Sequence, residues 1–146
     1  IRGVRDAGAI GEIRYGKDQV LTRDATEYFD QNVWMGVSQP KAADVEARHE
    51  IGLHKFMWGS DYPHDEGTYP YSRENLRARF SDVAEADLRQ MLAGNAADFY
   101  DFDLGALDKL AATVGPTVAE IAEPLDEVPN KHLERLSDDM DSKALK

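Results

Sequence analysis

The residues best suited to chemistry lie in one stretch, Trp58-Gly59-Ser60-Asp61-Tyr62-Pro63-His64-Asp65-Glu66-Gly67-Thr68. A short apolar run ends there and an aspartate follows at once. In α/β sheets and barrels, ligands and catalytic groups gather at the carboxyl ends of the strands. A carboxylate at that edge can bind a divalent metal ion, or take a proton from a metal-activated water. His64, Asp65 and Glu66 add an imidazole and two carboxylates close behind Asp61. The same spacing also reads as an Asx-turn at Asp61 followed by surface charge, and spacing alone does not choose between the two.

Two apolar runs and the segment between them must position that aspartate. Val33-Trp34-Met35-Gly36-Val37 and Phe56-Met57-Trp58-Gly59 are rich in strand formers. Both are continuously apolar rather than alternating, as in parallel strands covered on both faces. Ala42 to Ile51 suits a helix, with Gly52 placed as its stop. The pattern predicts parallel strands at Val33–Val37 and Phe56–Ser60, joined by a helix across residues 42–51 through a right-handed crossover. Trp34 and Trp58 are expected in the core. Upstream, residues 1–17 carry four glycines and read as irregular, while Asp24 and Glu27 form a capping-box pattern ahead of Tyr28 and Phe29.

Downstream, Asp61 to Pro70 is turn-rich, with Pro63, Gly67 and Pro70. Helices are expected from Ser72 to about Phe80, and from Glu85 to Ala93 with Leu88, Met91 and Leu92 on one face and Gly94 as the stop. Further helical stretches follow at Asn95 to Tyr100 and around Leu107, Leu110, Ala111 and Val114. Thr117 and Glu120 repeat the capping-box pattern. Past Glu123 the chain turns polar, so residues 1–123 read as the folded part and 124–146 as a tail that is mobile or packs on a neighbour. His49 and His54 flank a helix stop and are expected in surface or capping roles, as is His132 in the tail.

Charge and composition narrow the function classes. The chain has 146 residues, 17 Lys and Arg against 28 Asp and Glu, and a formal net charge of −11. Residues 61–103 alone carry ten acidic and four basic side chains. That balance argues against nucleic acid and anionic membrane as partners, since phosphate binding needs a basic face. No apolar run approaches the ~20 residues of a membrane span, and Ile1-Arg2-Gly3-Val4 lacks the apolar segment of a signal peptide. The chain has no cysteine, which removes disulfides, thiolate metal sites and a cysteine nucleophile from consideration and fits a cytoplasmic setting.

Three strings together carry a family resemblance: Glu46-Ala47-Arg48-His49-Glu50-Ile51-Gly52, then Phe56 to Thr68, then Gly94-Asn95-Ala96-Ala97. They closely resemble the C-terminal part of the metal-dependent amidohydrolase superfamily, in the amidohydrolase 2 branch that also holds decarboxylases related to aminocarboxymuconate-semialdehyde decarboxylase. The resemblance spans roughly Tyr28 to Pro124. It implies an α/β fold, the C-terminal portion of a (β/α)8 TIM barrel, with Val33–Val37 as the seventh strand and the string at Asp61 closing the eighth. Asp61 matches the family's metal-linked aspartate, as catalytic group and metal ligand. His64 and Glu66 belong to the matched string and are expected to line the pocket and touch substrate. The family's remaining metal ligands, a His-x-His or Glu-x-His pair after the first strand and histidines after the fifth and sixth, are expected to have no counterpart here, since the resemblance implies that Ile1 falls between the sixth and seventh strands.

A barrel needs ~250 residues, and two parallel strands do not make a stable sheet buried on both faces. The expectation is therefore a chain completed by the remainder of the barrel or by another chain, with homo-oligomerisation as one route. The resemblance implies a divalent metal cofactor, zinc, and a small-molecule substrate. It implies a metal-dependent hydrolase acting on a C–N or C–O bond. The alternatives are a metal-dependent decarboxylase of an aromatic or unsaturated acid, and a catalytically silent fragment or half-barrel.

Overall fold

The computed structural model describes residues 22–126, which fall into two units divided between Trp34 and Met35. In the first unit the expected capping box forms. The amide of Thr26 donates to the Asp24 carboxylate at 3.0 Å and the amide of Asp24 donates to Glu27 at 3.1 Å. That start gives α1 (Ala25–Asn32), which ends where Val33 turns extended. Trp34, expected in the core, keeps 37% of its surface exposed. Extended backbone is present at Val33, but strand pairing begins only at Met35.

The second unit holds a parallel pair, β1 (Met35–Val37) and β2 (Phe56–Trp58), in the register Met35 to Phe56, Gly36 to Met57 and Val37 to Trp58. The parallel arrangement matches the sequence expectation; both strands are shorter than expected. At the carboxyl end the ladder runs one step further, with the Gly59 amide donating to the Val37 carbonyl at 3.2 Å. There it stops, because the Ser60 carbonyl turns away to accept from the Thr68 amide at 2.9 Å.

The connection is helical but broken. Instead of one helix over 42–51 there are α2 (Ala42–Glu46) and α3 (Arg48–Ile51), separated at Ala47, whose ψ of 2° leaves the helical range. Gly52 ends α3 as expected, at a φ of +105° that an L side chain seldom adopts. A single 3-10 turn, Leu53–Lys55, then feeds β2.

Beyond the loop after β2 come α4 (Ser72–Phe80), α5 (Glu85–Arg89), a π-helical turn over Gln90–Gly94, α6 (Asn95–Tyr100), α7 (Leu104–Val114) and α8 (Val118–Ala122). Gly94 does not stop a helix; its backbone is helical and the Asn95 amide reaches back to the Gln90 carbonyl, so the chain winds on into α6. The core gathers Val45, Phe56, Leu76, Phe80, Leu88, Met91 and Ile121, with Val37, Leu53, Trp58 and Leu92 packed against it. Val37, Phe56 and Trp58 share one face of the strand pair by alternation, so the helices cover that face. Phe56 and Phe80 meet edge to face at 6.4 Å. The apolar row of α7 is the exception: no residue of that helix is buried. The expectations for residues 1–17, His132 and most of the 124–146 tail lie outside the described residues.

Candidate active site

The loop after β2 is built from backbone hydrogen bonds across its own turns. The His64 amide donates to the Asp61 carbonyl at 2.8 Å, the Gly67 amide to the His64 carbonyl at 2.8 Å, and the Thr68 amide to the Ser60 carbonyl at 2.9 Å. The peptide bonds Tyr62-Pro63 and Tyr69-Pro70 are cis, and the two tyrosine rings meet edge to face at 5.2 Å. The Gln39 side-chain amide donates to the Glu66 carbonyl, tying the loop to the segment that follows β1.

This loop places Asp61 three residues past the end of β2 in a left-handed backbone conformation, φ +56°. Only a few per cent of non-glycine residues adopt positive φ, and Asp is among the types that tolerate it. Asp61 therefore stands in a tight turn, closed by the backbone bond from the His64 amide to its own carbonyl, just past the end of β2. Asp61 lines a cleft of about 370 Å³ with Gly36, Met57, Gly59, Ala96 and Tyr100 among its other walls. The Asp61 side chain is 46% exposed, and His64 brings its Nδ1 to 3.4 Å from the carboxylate. His64 is more open still, at 64%. His64 and Glu66 are exposed and are not among the residues lining this cleft; Asp65 is exposed as well.

A carboxylate oxygen and an imidazole nitrogen are donors that zinc accepts, so Asp61 and its neighbour His64 fit a metal centre chemically. They fit it as part of a set. Among the described residues no three His, Asp or Glu side chains are grouped to hold a metal ion, and a catalytic zinc takes about three protein ligands.

Several positioning residues were not read as such in the sequence. Asn95 is 3% exposed and its amide donates to the carbonyls of Leu53 and Phe56, both at 2.7 Å, fixing the start of β2. Thr68 is 3% exposed and joins the loop to α4 through Ser72, Oγ1 to Oγ 2.8 Å. His49, expected in a surface or capping role, pairs through Nε2 with Asp87 at 3.0 Å. Arg48 reaches the same oxygen from Nε at 2.8 Å, and its hydrogen bond, helped by His49, holds the Asp87 carboxyl below the usual range. Tyr100 and Ala96 enter the cleft wall from α6, with the Tyr100 ring against Phe99 at 4.8 Å and Phe102 at 5.5 Å.

A parallel strand pair packed with helices, with a polar loop and a carboxylate at the strands' carboxyl edge, is an α/β arrangement, and folds of that class place their sites at that edge. Residues 15–102 match the amidohydrolase family, and the chain belongs to it. The match contains β1, β2, the Asp61 loop and α6 through Tyr100. Comparison with curated proteins and with solved structures gives no match for this chain. Family membership supports a metal-dependent amidohydrolase-type function, and the two parallel strands with their helices agree with part of a barrel. No helix among the described residues is long and apolar enough to cross a membrane.

Proposed function

We propose that this chain contributes the last two strands of a (β/α)8 barrel and one carboxylate, Asp61, to a metal-dependent hydrolase that cleaves a C–N or C–O bond of a small molecule. The observation that carries the reading is the placement of Asp61: at the carboxyl end of β2, on the wall of a cleft, inside the matched segment. Asp61 would hold the metal together with ligands from elements outside residues 22–126. That division fits a single carboxylate on an open strand pair. By resemblance its branch is amidohydrolase 2, which includes decarboxylase relatives. Zinc is the metal this reading takes.

When bound, a divalent cation polarises a water and a substrate carbonyl at neutral pH. The chain's own residues do the rest. The Asp61 carboxylate accepts a proton from the attacking water and returns it to the leaving group. His64 Nδ1, 3.4 Å away, steadies the charge on that carboxylate. Met57 and Tyr100 stand on the cleft wall beside the carboxylate.

The test is Asp61→Asn in the complete barrel protein, assayed on amide and ester substrates. Turnover should fall by about 10²–10⁴-fold with the fold intact, the usual range for a general acid–base group. His64→Ala should do less and act mainly on KM. Near-normal turnover in a folded Asp61→Asn protein would return Asp61 to the role of a turn residue. Release of CO₂ from aryl or unsaturated acids, with no C–N or C–O cleavage, would replace the hydrolase with a lyase.

A further inference from the structure

We infer that Gly67 and Thr68 are positioning residues for Asp61, setting the direction of its carboxylate through the backbone rather than by touching it; the inference rests on the reading of Asp61 as a metal-linked carboxylate. The direction of a Cα–Cβ bond is fixed once the two peptide planes flanking that Cα are fixed. At Asp61 both are. The preceding plane carries the Ser60 carbonyl, which accepts from the Thr68 amide at 2.9 Å and from Thr68 Oγ1 at 3.3 Å. The following plane carries the Asp61 carbonyl, which accepts from the His64 amide at 2.8 Å. Between them they hold Asp61 at φ +56°, a conformation that a free aspartate would leave for the ordinary regions.

Gly67 is the residue that lets these planes come together. A Cβ built on Gly67 would stand 2.8 Å from the Asp61 and His64 carbonyl oxygens and 2.9 Å from that of Ser60. Three backbone oxygens cannot all yield to a methyl group while keeping their hydrogen bonds, so only glycine fits. Thr68 then anchors the assembly. It is 3% exposed, and its hydroxyl also meets Ser72 Oγ at 2.8 Å, at the first residue of α4, whose Leu76 and Phe80 sit in the core. The carboxylate is thereby referred to the core through Ser60, Thr68, Ser72 and α4.

The experiment measures zinc affinity of the metal-free complete protein by chelator competition, with thermal melting of each variant alongside. Thr68→Val keeps the shape and removes the hydroxyl bonds, and should weaken zinc binding by about 10–100-fold, as losing a partner behind a ligand does, with little change in Tm. Thr68→Ser restores the hydroxyl and should bind within about 3-fold of the parent. On an Asp61→Asn background Thr68→Val should add nothing, because it acts through Asp61. Gly67→Ala should weaken zinc at least as much if it folds; the Thr68 variants decide the matter if it does not. Zinc lost on Asp61→Asn but unchanged on Thr68→Val overturns the positioning alone, as does equal weakening by Thr68→Val with and without Asp61. Zinc retained on Asp61→Asn overturns the reading beneath it, and the inference with it.

Discussion

Asn95 shows how much of the site's geometry depends on a single buried amide. Its two donors satisfy the carbonyls of Leu53 and Phe56 from 42 and 39 residues away, at the point where the 3-10 turn becomes β2. A buried acceptor left without a donor costs about 1–3 kcal/mol. Asn95→Ala takes from the Phe56 carbonyl its only side-chain donor, while the Leu53 carbonyl keeps the Phe56 amide, so it should destabilise the protein by about 1–3 kcal/mol in a urea titration. A loss within about 0.5 kcal/mol, the range of ordinary surface changes, would show that β2 starts correctly without it. The sequence marked Asn95 only as a member of a matched string. An asparagine early in a helix more often caps it or faces water, and no local pattern reveals that a distant strand needs its amide. The loop that carries Asp61 was legible for the opposite reason: a proline- and glycine-rich stretch directly after an apolar run is a local signal.

The elements hold together through a few polar ties whose pH dependence has a definite sign. Asp87 on α5 takes Arg48 Nε and His49 Nε2 on one carboxylate oxygen, joining α5 to α3 of the crossover. The Arg48 hydrogen bond lowers the folded-state pKa of Asp87, with His49 adding to it. The unfolded chain therefore binds this proton more readily, and the tie's contribution is present above the ordinary carboxylate range and lost as pH falls through the folded value. Replacing Asp87 by Asn removes that dependence. Between pH 7 and pH 3, Tm should fall less steeply in Asp87→Asn than in the parent; parallel curves would mean the tie contributes nothing. At this scale the strands, their parallel pairing, the capping boxes at Asp24 and Thr117 and the helix positions were readable from periodicity and cap residues. The break at Ala47 was not, because alanine is the best helix former and gives no sign of a stop. Nor was the π turn through Gly94, where a glycine that reads as a terminator is carried inside a continuing helix.

The molecule as a whole presents a strand pair without further strands among the described residues, and helices packed against it. Two strands alone are marginal in water, and the exposed row Leu104, Leu107, Leu110 and Val114 on α7 adds apolar surface that a finished domain would cover. These features agree with a partial barrel, and the remaining metal ligands are proposed to come from residues outside 22–126. That assignment has a direct structural consequence. In crystals of the complete protein grown with zinc, anomalous scattering at the zinc edge should place the ion about 2.0–2.2 Å from an Asp61 carboxylate oxygen, the distance of a zinc–carboxylate bond. The remaining ligands should come from residues outside 22–126. A zinc peak elsewhere in the molecule, with Asp61 bonded only within its own loop, would contradict the account.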